Sequence, residues 1–202
     1  MMVILIFRVN AGFVTTQGKN FKLDGKNYCY LGTNYWYGMN LGAPINGDYI
    51  RLITELDQLE SIGVRNLRIM GNTQGPDNKA KRITPSLEFE KGKYNNDLWE
   101  GLDIFLYEMG KRDMKAVIPL NNYWEWSGGF GQLMEWYLGN RKYQISDFYE
   151  LKNVTNHYLS FIPLIINRKN TAYARYEGRT VYYKDDPTIM AWQLANEPRA
   201  GD

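Results

Sequence analysis

Four short apolar runs in this chain are separated by three longer stretches whose apolar positions recur every three or four residues. An apolar run of five to eight residues suits a strand, and the three-to-four spacing suits one face of a helix. A chain that alternates them is thereby steered away from helical bundles and antiparallel sandwiches. The strands are expected at residues 28–33, 66–70 (NLRIM), 115–120 (KAVIPL) and 188–195 (TIMAWQLA). Helices are expected from Asp48 onward, with Leu52, Leu56, Leu59 and Ile62 on one face, over 97–112, with Leu98, Leu102, Phe105, Leu106 and Met109, and over 153–168. Apolar strands joined by helical crossovers predict a parallel sheet with both faces covered.

The punctuation agrees with this order. Asp24-Gly25 tolerates the positive φ of a tight hairpin turn, so residues 13–23 and 27–33 read as two strands around it. Gly63 stops the first helix, residues 71–96 read as a long polar loop, and 121–139 as a Gly- and Trp-rich loop with a short helix near 132–137. Pro163 should bend or break the third helix, and a polar stretch then runs to Asp186. Four such units are half of an eight-fold barrel, which typically needs about 250 residues. The outer two strands of a half sheet keep unpaired backbone edges and favour self-association. Nothing in the sequence marks a boundary inside residues 13–202, which read as one domain. The opening MMVILIF, within residues 1–12, reads as a signal-peptide remnant or a mis-set start and so suggests export.

With 24 basic and 22 acidic residues spread without runs, the chain offers no footprint for nucleic acid or an anionic membrane. A neutral ligand fits better. Aromatic residues make up 15% of the chain, and flat rings serve both a core and a cleft that stacks the apolar faces of sugars. Cys29 has no partner for an internal disulfide and reads as a small buried hydrophobe. Asn153-Val154-Thr155 is a glycosylation sequon.

In a barrel the reactive groups lie at the C-terminal ends of the strands. To be inspected there are Asn34, Tyr35 and Trp36 after the first strand, Arg68 within the second, Asn121, Asn122, Tyr123 and Trp124 after the third, and Asn196 and Glu197 after the fourth. Amides and a guanidinium suit sugar hydroxyls, rings suit pyranose faces, and one carboxyl suits proton transfer. Glu197 follows an apolar strand and precedes a proline, a place where partial desolvation would raise its pKa towards that of a general acid.

Residues 185–199, DDPTIMAWQLANEPR, resemble the fourth-strand motif of glycoside hydrolase family 5, and the Asp-Asp-Pro with Trp192 resembles its mannanase branch. Gly32-Thr33-Asn34-Tyr35-Trp36, Asn66-Leu67-Arg68, Asn121-Asn122-Tyr123 and Asn167-Arg168-Lys169-Asn170-Thr171 fall in the order that family requires. The resemblance implies a (β/α)8 TIM barrel, here its first four units behind an N-terminal hairpin. It also implies retaining hydrolysis of β-1,4-mannan by two glutamates about 5 to 5.5 Å apart. Glu197 would be the acid/base, Asn196 would hold the sugar 2-hydroxyl, and Arg68 would support the nucleophile's carboxylate. Asn122, Trp124 and Trp36 would line the sugar subsites. The family's nucleophile comes from its seventh strand, beyond Asp202, so this chain alone is expected to be an inactive N-terminal part of a secreted enzyme.

Glu125 and Glu135 read as solvated loop acids, and His157, mid-helix, reads as structural. Gly128-Gly129-Phe130-Gly131 does not open a helix directly from a strand as a phosphate loop would, and no residues have zinc spacing, so neither cofactor nor metal is expected. The alternatives are a non-catalytic carbohydrate-binding half-barrel and an enzyme of the same class acting on β-glucan. Polysaccharide or oligosaccharide is the expected ligand in each case.

Overall fold

A computed structural model describes residues 12–139 and 141–200. The expected signal-peptide segment therefore lies outside the described residues except for Gly12. At the N-terminus β1 (Thr15–Gln17), β2 (Asn20–Leu23) and β3 (Lys26–Asn27) form a small antiparallel sheet. Asp24 and Gly25 take φ values of 49° and 77°, as the tight turn demands. The single hairpin expected over 13–33 is instead divided. Residues 13–23 fold back on themselves at Gly18, and the second half splits between β3 and β4 (Leu31–Asn34), which belong to different sheets. Cys29 sits in this break and is exposed, not buried as expected.

After the short helix α1 (Gly38–Gly42), α2 (Tyr49–Ser61) begins where Asp48 accepts the Arg51 N–H at 3.0 Å. Leu52 and Leu56 are fully buried, whereas Ile62, past the last turn, is 68% exposed and leaves the expected stripe. β5 (Val64–Arg68) follows. The loop expected over 71–96 contains a hairpin, β6 (Glu88–Glu90) and β7 (Lys93–Tyr94), before α3 (Asn96–Lys111). All five apolar residues expected on the α3 face are fully buried. Its Gly101 meets α1 backbone to backbone: an added Cβ would lie 2.2 Å from the Met39 oxygen, so any other residue would separate the helices.

β8 (Lys115–Pro119) leads through a 3₁₀ turn at Glu125–Ser127 into α4 (Gly129–Leu138), which begins three residues before the helix expected there and ends one residue after it. α5 (Lys152–Ile166) runs through Pro163 without a break. The polar stretch beyond it holds α6 (Thr171–Glu177) and ends at β9 (Ile189–Gln193).

β4, β5, β8 and β9 form one parallel sheet in that order. Strand and helix thus alternate as half of a (β/α)8 barrel. β5 and β8 are largely buried, but every β4 residue is exposed and β9 is mostly half-buried, so the expectation of strands covered on both faces holds only at the centre. The helices and the outward side chains Leu67, Ala116, Ile118 and Ile189 share one core. Asp103 of α3, fully buried, accepts from Arg168, Tyr183 and Thr171 and ties the return segment after α5 to that core. Burial pushes the Tyr183 hydroxyl well up, keeping it a neutral donor to that carboxylate.

Candidate functional site

The inner face of the sheet carries Asn34, Arg68, Val117 and Ala191 in one register layer, with Gln193 beyond them on β9. Together with Gly32 and Asn66 they line a groove of about 630 Å³. Arg68 is its pivot. Its Nε donates to Gln193 Oε1 and its Nη1 to Asn196 Oδ1, both at 2.8 Å, and its guanidinium lies 5.2 Å from the centre of the Trp36 ring. Burial lowers the Arg68 pKa from its ordinary value, and the Glu197 charge opposes that shift, which places the two charges within electrostatic reach of one another.

From Arg68 a chain of amides runs inward. Asn196, 3% exposed, donates its Nδ2 to Asn122 Oδ1 at 2.9 Å. Asn122, fully enclosed, donates to Ser127 Oγ at 2.9 Å and accepts the Trp124 backbone N–H at 3.1 Å. Each amide is thereby oriented by a donor or acceptor of fixed sense. Asn122, expected to line a subsite, is itself fully enclosed and reaches the groove through its bond with Asn196. Backbone bonds from Asn196 N to Asn121 O and from Tyr123 N to Asn196 O clamp the end of β9 against the loop after β8.

Glu197 leaves this clamp in the left-handed region, with φ of 46°, an uncommon conformation for a non-glycine residue. Its Oε2 accepts from the Trp124 indole Nε1 at 2.7 Å, leaving Oε1 unoccupied by that contact. The side chain is exposed, not partly desolvated as expected. Arg199 lies 4.7 Å from the centre of the Trp124 ring, and Trp36 packs against Trp126 at 5.5 Å, so three indoles edge the sheet end.

The six residues to which the resemblance gave roles, Glu197, Asn196, Arg68, Asn122, Trp124 and Trp36, therefore meet at one end of the sheet. Gln193, Ser127 and Trp126 join them and were not singled out. Gln193 had a visible signal, being the polar side chain inside the apolar run TIMAWQLA.

The other candidates stand outside this chain of hydrogen bonds. Glu135 pairs with Lys79, and Glu125 is exposed. His157 Nε2 lies 2.6 Å from buried Glu88 Oε1 and its Nδ1 lies 3.1 Å from the Tyr137 hydroxyl, so it joins α5 to the β6–β7 hairpin and α4. Among the described residues no group of three or more His, Cys, Asp or Glu side chains is placed to hold a metal ion.

Comparison with known proteins gives the same frame. Residues 11–202 match the model of the family described as GH family 5 beta-mannosidase-like. The chain is 33% identical over 195 residues to mannan endo-1,4-beta-mannosidase 1 of Arabidopsis thaliana, covering 96% of this chain and 44% of that protein. A variant of the glycoside hydrolase family 5 mannosidase from Rhizomucor miehei, solved in complex with mannosyl-fructose, is 36% identical with a TM-score of 0.84, over 94% of this chain and 49% of that one. The endo-1,4-beta-mannanase from the same organism is 28% identical with a TM-score of 0.74, over 93% and 49%. The chain thus spans about half the length of the relatives it matches.

Proposed function

Because the chain belongs to the GH family 5 beta-mannosidase-like family, we propose that it supplies the acid/base half of a retaining site that cleaves β-1,4 bonds in mannan-type polysaccharides. One observation carries this reading. Glu197 stands at the C-terminal end of the parallel sheet with Oε2 held by the Trp124 indole, beside an Asn196 whose amide is oriented by Arg68 and Asn122. A proton on Oε1 of Glu197 passes to the glycosidic oxygen as the C1–O bond breaks. The anomeric carbon is taken by a second carboxylate, and Glu197 then removes a proton from the water that releases the sugar. Asn196 presents its amide to the 2-hydroxyl, and Trp36, Trp126 and Trp124 form the ring-faced walls of the subsites. Asn122 positions Asn196, and Arg68 holds both the amide and the local positive charge that keeps the second carboxylate ionised.

The second carboxylate comes from a part of the full-length protein outside this chain, and the enzyme works outside the cell. In the full-length protein, E197Q should lower kcat on mannan at least about 10²-fold with its fold intact, while the 202-residue chain alone releases no reducing sugar. Hydrolysis by that chain, or an E197Q enzyme within tenfold of the wild type, contradicts the assignment.

A second reading within the same chemistry is favoured by the stronger match to the Rhizomucor mannosidase than to the mannanase. On it, the enzyme prefers short oligosaccharides or chain ends to internal bonds. Product profiles from mannohexaose separate the two, since mannose released first points to ends and mid-sized products to internal cleavage.

A further inference from the structure

A second groove, of about 560 Å³, lies in the outer helical layer and shares no lining residue with the groove over the sheet. Its walls are aromatic. Tyr176 of α6 is 51% exposed and Tyr49, at the start of α2, is 46% exposed; the Tyr107 ring of α3 lies 5.2 Å from that of Tyr176 at 31°. The floor, at Gly42, Ala43 and Ile104, carries little that is polar.

Two further features define what such a surface can hold. The ring of Tyr49 is fixed in advance, because its hydroxyl donates to Glu108 Oε1 at 3.0 Å and that carboxylate is itself buried. A ring already held in place loses little freedom when it takes a ligand. The charges in the lining are also compensated within the chain. Lys111 Nζ lies 3.0 Å from both Glu108 oxygens, and Arg175 Nη2 lies 2.8 Å from Glu100 Oε2. A lining of paired charges selects no ionic ligand. Its ammonium, guanidinium and hydroxyl groups remain as hydrogen-bonding groups around apolar rings, a combination that suits a neutral, polyhydroxylated chain whose ring faces are apolar. The volume falls within the range of ordinary small-ligand sites, enough for a few linked pyranoses.

We propose that this groove is a second carbohydrate-binding site, separate from the reacting end of the sheet, which takes a few units of the same neutral β-linked polysaccharide. The choice of polymer rests on the proposed activity, whereas the aromatic platform does not. Held there, a polymer stays near the sheet end between encounters.

The test is affinity electrophoresis of the 202-residue chain in gels containing soluble galactomannan. It uses Y176A, the ring-preserving Y176F and, to remove the sheet-end platform, W124A, each checked for folding by its circular dichroism melt. Y176A should weaken retardation roughly fivefold, Y176F should keep it, and W124A should retain a component that Y176A then removes. Should Y176A unfold, Y176S and the loss of oligosaccharide-induced tyrosine fluorescence change replace it. Retardation untouched by Y176A, abolished by W124A alone, or absent from the wild-type chain overturns the inference. None of these outcomes bears on the effect of E197Q in the full-length protein.

Discussion

Arg68 meets Gln193, Asn196 and the Trp36 ring at once, and only a planar fork of donors reaches all three. A lysine keeps the charge but can serve one amide oxygen at a time, and it offers no flat face to the indole. In the full-length protein R68K should therefore reduce kcat/KM on mannooligosaccharides by about 10- to 100-fold, mostly in kcat, since the loss is one of orientation at the reacting end. Steady-state kinetics decide it, and an R68K enzyme within twofold of wild type would show that charge alone suffices. Asn196 and Glu197 were legible because they sit at the end of an apolar run, where a strand must stop and a polar group must have a use, and Arg68 because it is a charge inside the apolar run NLRIM. Ser127 was not, because its role depends on the 3₁₀ turn that brings it under Asn122, and a lone serine in a Gly- and Trp-rich loop carries no periodic signal. The exposure of Glu197 and its left-handed backbone were likewise beyond reach of the sequence, since nothing in Asn-Glu-Pro specifies either.

Between elements, the Tyr158 hydroxyl of α5 donates to the oxygen of Leu194, just past the end of β9, at 2.5 Å. Burial pushes the Tyr158 hydroxyl up to about 12, so the folded chain favours the neutral phenol. Because the folded value lies above the unfolded one, near 10, the contribution is complete below about pH 10 and is lost as pH rises towards 12. Y158F should cost about 1 kcal/mol at neutral pH. The gap between wild type and Y158F in urea unfolding should then narrow from pH 9 to 12, and a gap that stays constant would refute the assignment. Elements of this length were the readable ones, since α2, α3 and α5 each repeat their apolar spacing over three or more turns. Strands of two or three residues show no alternation, which is why β6 and β7 were hidden in a polar loop and why β3 and β4 were taken as one strand. α6 was missed for a related reason, because its seven residues are pinned by Asp103 and the tyrosines around it more than by any stripe of their own.

At the scale of the molecule, the sheet has two open sides. β4 and β9 each pair with one neighbour among the described residues, and Leu31 of β4 is 57% exposed beside Tyr30 at 41%. A parallel edge with apolar side chains is a template for another strand, and natural edges are usually blunted by charge, proline or a covering element. β4 reads LGTN and has none of the first two. The 202-residue chain should therefore self-associate reversibly as concentration rises, through backbone pairing along β4 or β9. Placing a charge on the edge, as in L31K, should shift the equilibrium towards monomer without lowering the melting temperature by more than a few degrees, because the side chain it replaces contributes little to the core. Sedimentation velocity from about 1 to 100 µM measures both chains. A wild type that remains monomeric throughout would show that the exposed face of β4, however apolar, does not by itself recruit a partner strand.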